Sequence, residues 1–208
     1  YTGEDTLSLH DALPIWWGNA AGLADTVAPV VDNLEDRGEV SPTIVVFATY
    51  YPDRSFATED YEDDYALNRF FATTEIDTLI EAVESRYTTF ARGDTSAKSL
   101  QESRRHRAFG GFSMGATTTW DVFALRPQYF YGYMPMAGES WIGREEDADE
   151  ERLAELVTAG AVREGYGQGD FRILASVGSE DPALWDMTPQ LDELRQDYPD
   201  LMTETSLQ

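Results

Sequence analysis

Gly110-Gly111-Phe112-Ser113-Met114-Gly115 follows the short apolar run Arg107-Ala108-Phe109 and leads into a helix-like stretch over 116–125. Within it, Gly111-x-Ser113-x-Gly115 has the pattern of a nucleophile elbow, a sharp strand-to-helix turn that lifts a serine hydroxyl above the end of a sheet. The glycines have a steric job there. The turn brings backbone segments so close that a Cβ on either side of the serine would clash. The alternative is a glycine-rich turn without chemistry; a strand before and a helix after favour the nucleophile.

Outward from this turn, apolar periodicity alternates between strand and helix. Val27, Val30, Val31 and Leu34 recur at helical spacing, and the pattern stops at Gly38. Residues 43–49 form a β-branched apolar run of the kind buried on both faces of a parallel sheet. An acidic loop over 52–64 follows, and Ile76, Leu79, Ile80, Val83 and Tyr87 mark a second amphipathic helix. The polar residues 92–104 read as a surface loop. Beyond the elbow come a strand over 131–137, a helix around Leu153, Leu156 and Val157, a glycine-rich turn over 165–169, a strand over 171–177, and a closing helix around Leu191 and Leu194. This order predicts one α/β domain over 1–208, a mostly parallel sheet with helices on both faces. Ligands of such sheets bind at the carboxyl ends of the strands. Ser113, Tyr50-Tyr51, residues 138–141 and Asp181 all follow strand ends, so one edge gathers every candidate. The turn over 165–169 is no phosphate loop, since no lysine follows it and it precedes a strand.

Composition narrows the function classes. The 208 residues suffice for one domain with a sizeable core, and 42% apolar content with 12% aromatics excludes a disordered chain. The net charge is −24, from 39 acids against 15 bases, and Lys98 is the single lysine. Such a field repels nucleic acid and anionic lipid surfaces, so neither is an expected partner. No run of 18 apolar residues offers a membrane span. The absence of cysteine excludes disulfides, thiol catalysis and thiolate metal sites. No His/Asp/Glu cluster has metal-ligand spacing, and no cofactor is expected.

The segment from Arg105 to Ala116, with Met134-Pro135-Met136-Ala137-Gly138-Glu139-Ser140-Trp141, resembles the feruloyl esterase group of carbohydrate-esterase family one. Wider relatives of that group include esterase D-type hydrolases. Tyr50-Tyr51 and Val177-Gly178-Ser179-Glu180-Asp181 share the likeness, which runs from residue 16 to about 187. The resemblance implies an α/β-hydrolase fold and hydrolysis of carbohydrate-linked feruloyl, cinnamoyl or acetyl esters outside the cell, as in xylan degradation. It also implies Asp181 as the triad acid, against the alternative of a turn residue before Pro182. Glu180 and Asp186 are the substitutes. Residues 1–15 fit poorly, because Leu7-Ser8-Leu9-His10 is followed by Asp11 and Pro14 where relatives carry glycines.

A serine at its free pKa is a weak nucleophile and needs an oriented base. In this fold the histidine follows the acid, yet none follows Asp181 in the remaining 27 residues. The chain therefore reads as an α/β-hydrolase incomplete at its C-terminal end, with little esterase activity expected of these residues alone. His106 precedes Ser113 by seven residues, roughly 23 Å at about 3.3 Å per residue, at the wrong end of the strand. His10 falls at the correct edge, where relatives use a histidine to shape the oxyanion loop. One oxyanion donor is the backbone N–H of Met114; the second comes from the loop of Asp11 and Pro14, where proline has no N–H and a carboxylate opposes an oxyanion. Trp17, Tyr51 and Trp141 fall at mouth positions suited to stacking a planar acyl group or a sugar, while Trp120 reads as core. The expected partner is a small-molecule or polysaccharide ester. Competing readings are an acyltransferase or a small ester or thioester hydrolase of the same fold, and a non-catalytic domain that binds carbohydrate or a partner.

Overall fold

The computed structural model describes residues 20–50, 65–202 and 205–207. Four parallel strands, β1 (Ala108–Phe112), β2 (Gly132–Met136), β3 (Arg172–Ala175) and β4 (Thr205–Leu207), stand in the order β1-β2-β3-β4. Each step is a strand–helix–strand crossover through α5 (Met114–Leu125), α6 (Glu150–Arg163) or α7 (Leu184–Asp197). Parallel neighbours need such crossovers, because a tight turn can only reverse the chain. The register pairs Ala108 with Gly132 and Phe112 with Met136, then Tyr133 with Ile173. The expected alternation is thus present, with one addition: β4 follows the helix read as closing the chain and pairs Ile173 with Thr205.

The strands are short, and aromatic packing binds the sheet to its helices. Phe123 of α5 meets Tyr133 and Phe171 edge-on, both at 5.0 Å between ring centroids, and Phe109 meets Phe130 at 5.5 Å. Edge-to-face pairs of this kind contribute about 0.5–1.5 kcal/mol each beyond the area they bury. Helix α5 is buried along its whole length up to Ala124, as a helix between sheet and neighbouring helices must be. It packs on α6, and α6 on α7. The α5–α6 approach is backbone-tight: a Cβ on Gly160 would stand 2.2 Å from the Ala124 carbonyl oxygen.

Upstream lie α1 (Ala20–Asp36), α2 (Tyr65–Phe70), a single π turn (Phe71–Glu75) and α3 (Ile76–Arg86). The spacing read for α3 holds, with Ile76 and Ile80 in the core, but Tyr87 is half exposed beyond the helix end. Two local expectations fail. Residues 43–49 carry only an isolated bridge at Val45, although Ile44, Val46 and Ala48 pack against the core. β-Propensity becomes a strand only where a neighbour supplies the ladder, and none of the four described strands does so here. Residues 92–104 contain a helix, α4 (Ala97–Glu102), started by Ser96, whose side chain accepts from the Ser99 N–H, and anchored by buried Leu100.

The end of β1 remote from the elbow is held by charge. Arg107 donates to Glu84 at 2.7 Å, to the Tyr129 carbonyl at 2.7 Å and to Ser103 Oγ at 2.9 Å, with both ion-pair side chains 1% exposed. Thr89 Oγ1 donates to the other Glu84 oxygen. His106, on a short 3₁₀ turn before β1, stacks flat on Phe90 with 3.3 Å between centroids. That is the structural role expected of it, at the opposite end of β1 from Ser113.

Candidate active site

Ser113 follows the last residue of β1 and precedes the first of α5, and its backbone is strained, with φ 56° and ψ −118°. A non-glycine residue in this region costs about 1–3 kcal/mol and persists only where its surroundings over-determine it. Here they do. The Ser113 N–H donates to the Met136 carbonyl at 2.9 Å, one residue beyond the β1–β2 ladder, and the Ser113 carbonyl accepts from the N–H groups of Ala116 and Thr117 at 2.8 and 3.3 Å. Strand, strained serine and buried helix are the elbow geometry expected from the glycine spacing. The serine is half-buried, and Phe112 beside it is 43% exposed.

The loop after β2 closes against this turn. A Cβ on Gly138 would stand 2.7 Å from the Ser113 carbonyl oxygen and 3.0 Å from Ala116 Cβ. Ala137 takes a positive φ of 50° to bring the loop there. Four side chains from two helices then pin it. From α5, Trp120 Nε1 donates to the Gly138 carbonyl at 3.2 Å and Thr117 Oγ1 to the Glu139 carbonyl at 3.1 Å. From α7, Met187 Sδ accepts from the Gly138 N–H at 3.0 Å, and Gln190 Oε1 from the Ser140 N–H at 2.7 Å. Trp120 is core, as its place in α5 suggested, and it also holds this loop.

Met114 begins α5, so its N–H belongs to the first-turn donors that intrahelical bonding leaves open. Its carbonyl accepts from Asn68 Nδ2 at 3.1 Å and from Thr118 Oγ1 at 2.9 Å. Trp141 is half-buried. Its ring meets Tyr65 edge-on at 5.7 Å, its Nε1 donates to Glu139 at 2.6 Å, and the Arg144 guanidinium stands 4.0 Å above it. Asp181 lies beyond β3, two strands from β1 and so about 10 Å across the sheet. Its Oδ1 accepts from the Ala183 N–H at 2.9 Å, the turn role weighed as the alternative. Trp17, Tyr51, His10, Asp11 and Pro14 lie outside the described residues.

The sequence reading missed the buried polar layer behind the elbow. Asp121, 0% exposed on α5, accepts from the Tyr65 hydroxyl at 3.2 Å, and its Oδ2 has no partner among the described residues. Burial pushes its carboxyl up to about 7, with Arg69 and the Tyr65 hydrogen bond opposing. A lone acid in the apolar run 120–125 was the available signal. An open groove of about 590 Å³ between Ala48–Thr49 and Phe70–Ala82 is lined by none of the candidate residues. No group of acids and histidines that could hold a metal occurs among the described residues. Nor is any described helix long and apolar enough to cross a membrane.

No family model matches the chain. It is 31% identical over 166 residues to endo-1,4-beta-xylanase Y of Acetivibrio thermocellus, a match covering 80% of this chain and 14% of that protein's length. The feruloyl esterase module from Clostridium thermocellum, solved as a mutant in complex with sinapinate, superposes with a TM-score of 0.72 at 25% identity, covering 98% of this chain and 68% of the module. The CE1 ferulic acid esterase from Anaeromyces mucronatus superposes with a TM-score of 0.58 at 17% identity, covering 95% and 68%, a likeness of fold. Parallel sheet and these likenesses agree on an α/β-hydrolase fold, similar to that of the feruloyl esterases.

Proposed function

We propose that the chain carries the nucleophile of a serine carboxylesterase acting on carbohydrate-linked feruloyl, cinnamoyl or acetyl esters. The observation that carries this is Ser113, held at φ 56° between β1 and α5. Strain at that position serves to present the hydroxyl above the strand ends. In this reading Ser113 attacks the ester carbonyl, and the Met114 N–H donates to the oxygen as it gains charge. The alcohol departs, and water releases the acyl group from Ser113. Asp181 would orient the histidine that accepts the serine proton. His106 cannot be that base from the far end of β1, and His10 lies outside the described residues. These 208 residues alone are therefore expected to turn over slowly, near the residual level left when a triad member is missing. Trp17, Tyr51 and Trp141 would take the planar acyl group or sugar. The sinapinate held by the clostridial module supports an aromatic acid in that place. Extracellular action on plant-wall polysaccharide is the setting this reading implies.

The test pairs Ser113→Ala with the parent, both in the full-length protein. A fluorophosphonate should label Ser113 and no other hydroxyl, and methyl ferulate should be preferred over a long-chain nitrophenyl ester. Labelling that survives Ser113→Ala removes the nucleophile assignment. A clear preference for the long chain removes the aromatic pocket.

A further inference from the structure

Helix α2 presents two polar side chains to α5 that the proposed reaction does not use, Tyr65 and Asn68. Three residues apart, they share one face of the helix. Asn68 is fully buried, and its Nδ2 donates to the carbonyl of Met114, the residue whose N–H stands beside Ser113. Its Oδ1 has no partner among the described residues. An apolar side chain such as leucine would fill a similar space without a buried, unpaired acceptor, so space-filling does not account for the amide. Tyr65 extends the same contact along α5, with its hydroxyl on Asp121 and its ring edge against Trp141.

The backbone supports a placed α2. Immediately after it the chain makes one π turn, Phe71–Glu75, before α3 resumes regular α geometry. A π turn takes in an extra residue and so sets the face of α2 independently of that of α3; such turns are rare and concentrate at functional sites. The turn is itself anchored: Arg126 donates to the Thr73 carbonyl and pairs with Asp77 at 3.1 Å.

We propose that Asn68 is a positioning residue for oxyanion stabilisation, holding the Met114 carbonyl and thereby setting where the Met114 N–H points when Ser113 carries a tetrahedral adduct. This rests on the reading of Ser113 as nucleophile and Met114 as donor. A donor helps only if it already points at the place where charge develops. Thr118 Oγ1 donates to the same carbonyl from within α5 at 2.9 Å, so what Asn68 adds is the tie to α2; without it the first turn of α5 is free to shift, while the pocket that binds the ground state is untouched.

Fluorophosphonate labelling of the full-length protein separates the two effects. The half-saturating reagent concentration reports ground-state binding, and the limiting first-order rate reports adduct formation. Asn68→Leu and Asn68→Ala should lower the limiting rate about tenfold or more, with half-saturation unchanged within about twofold. Circular dichroism at the assay temperature establishes that both variants are folded. A limiting rate within about twofold of the parent, while Ser113→Ala fails to label, overturns the positioning role and leaves the serine reading intact. A rise in half-saturation without a fall in rate makes Asn68 a pocket residue and overturns the proposal too. Variants unfolded at the assay temperature make Asn68 a residue of the fold, with the same consequence. Labelling that survives Ser113→Ala, or no labelling of the parent, overturns both readings.

Discussion

Gly138 lies against Ser113 so closely that a Cβ at position 138 would stand 2.7 Å from the Ser113 carbonyl oxygen. The obstacle is backbone, and that carbonyl is already committed to the first turn of α5. Gly138→Ala should therefore displace either the elbow or the loop. The expected outcome is a loss of roughly 1–3 kcal/mol in stability, as for other overpacked sites. Labelling of Ser113 should fall at least tenfold, since small displacements at a reacting centre cost that much or more. Urea melts and labelling rates check both. Wild-type values in each would show that the loop gives way without cost.

Ser113 itself holds strain that a glycine would not. Because glycine enters positive φ without a Cβ penalty, Ser113→Gly should be more stable than Ser113→Ala by about 1 kcal/mol, with both inert toward fluorophosphonate. Thermal melts of the two variants side by side make the comparison, since both lack the hydroxyl. Equal melting temperatures would mean that the turn does not strain its residue.

Asp121 should make stability depend on pH. Its carboxyl is raised to about 7 by burial, whereas the unfolded chain titrates near the ordinary value of 3.8. The folded state thus binds this proton more tightly. That contribution is fully present below about pH 4 and is lost as pH rises through about 7. Asp121→Asn keeps the shape and removes the ionisation. Between pH 5 and 8 the parent should lose more melting temperature than the variant, and the variant should be the more stable at pH 8. Parallel curves would exclude Asp121 as the titrating group.

Glu84 and Arg107 carry a different load. Both side chains are 1% exposed, and Arg107 also donates to Ser103, Tyr129 and Leu100. Removing one charge leaves the other buried without its counter-ion, a loss that is typically about 3–5 kcal/mol. Glu84→Gln should show a loss of that size in chemical denaturation. The pair lies at the end of β1 remote from Ser113, so the folded variant should label at the parent rate. A selective loss of labelling would show that the two ends of the strand are coupled.

The elbow was legible because its pattern is local: three small residues at fixed spacing between an apolar run and a helix can satisfy little else. Alternation of strand and helix was legible for the same reason, since each amphipathic period is set by residues within one turn or one pleat of each other. Residues 43–49 mark the limit of that reasoning. Their apolar run suits a strand, yet a strand needs a partner, and the run itself does not name one. Residues 92–104 mark it from the other side: Ser96 and Leu100 make a helix where polarity suggested a loop, because one cap and one buried leucine outweigh the composition around them.

By itself the sequence determined the fold class and the identity of Ser113 as the residue at the turn. Only the tertiary structure decided what holds that turn. Asn68 reaches Met114 across 46 residues, Gln190 reaches Ser140 across 50, and Met187 reaches Gly138 across 49. No periodicity relates residues so far apart, because their meeting depends on how helices pack on the sheet. The same holds for Asp121, whose raised carboxyl comes from burial beneath α2 and from nothing adjacent in the chain. Local pattern specifies the elements, and packing specifies which polar groups lose water and must find one another.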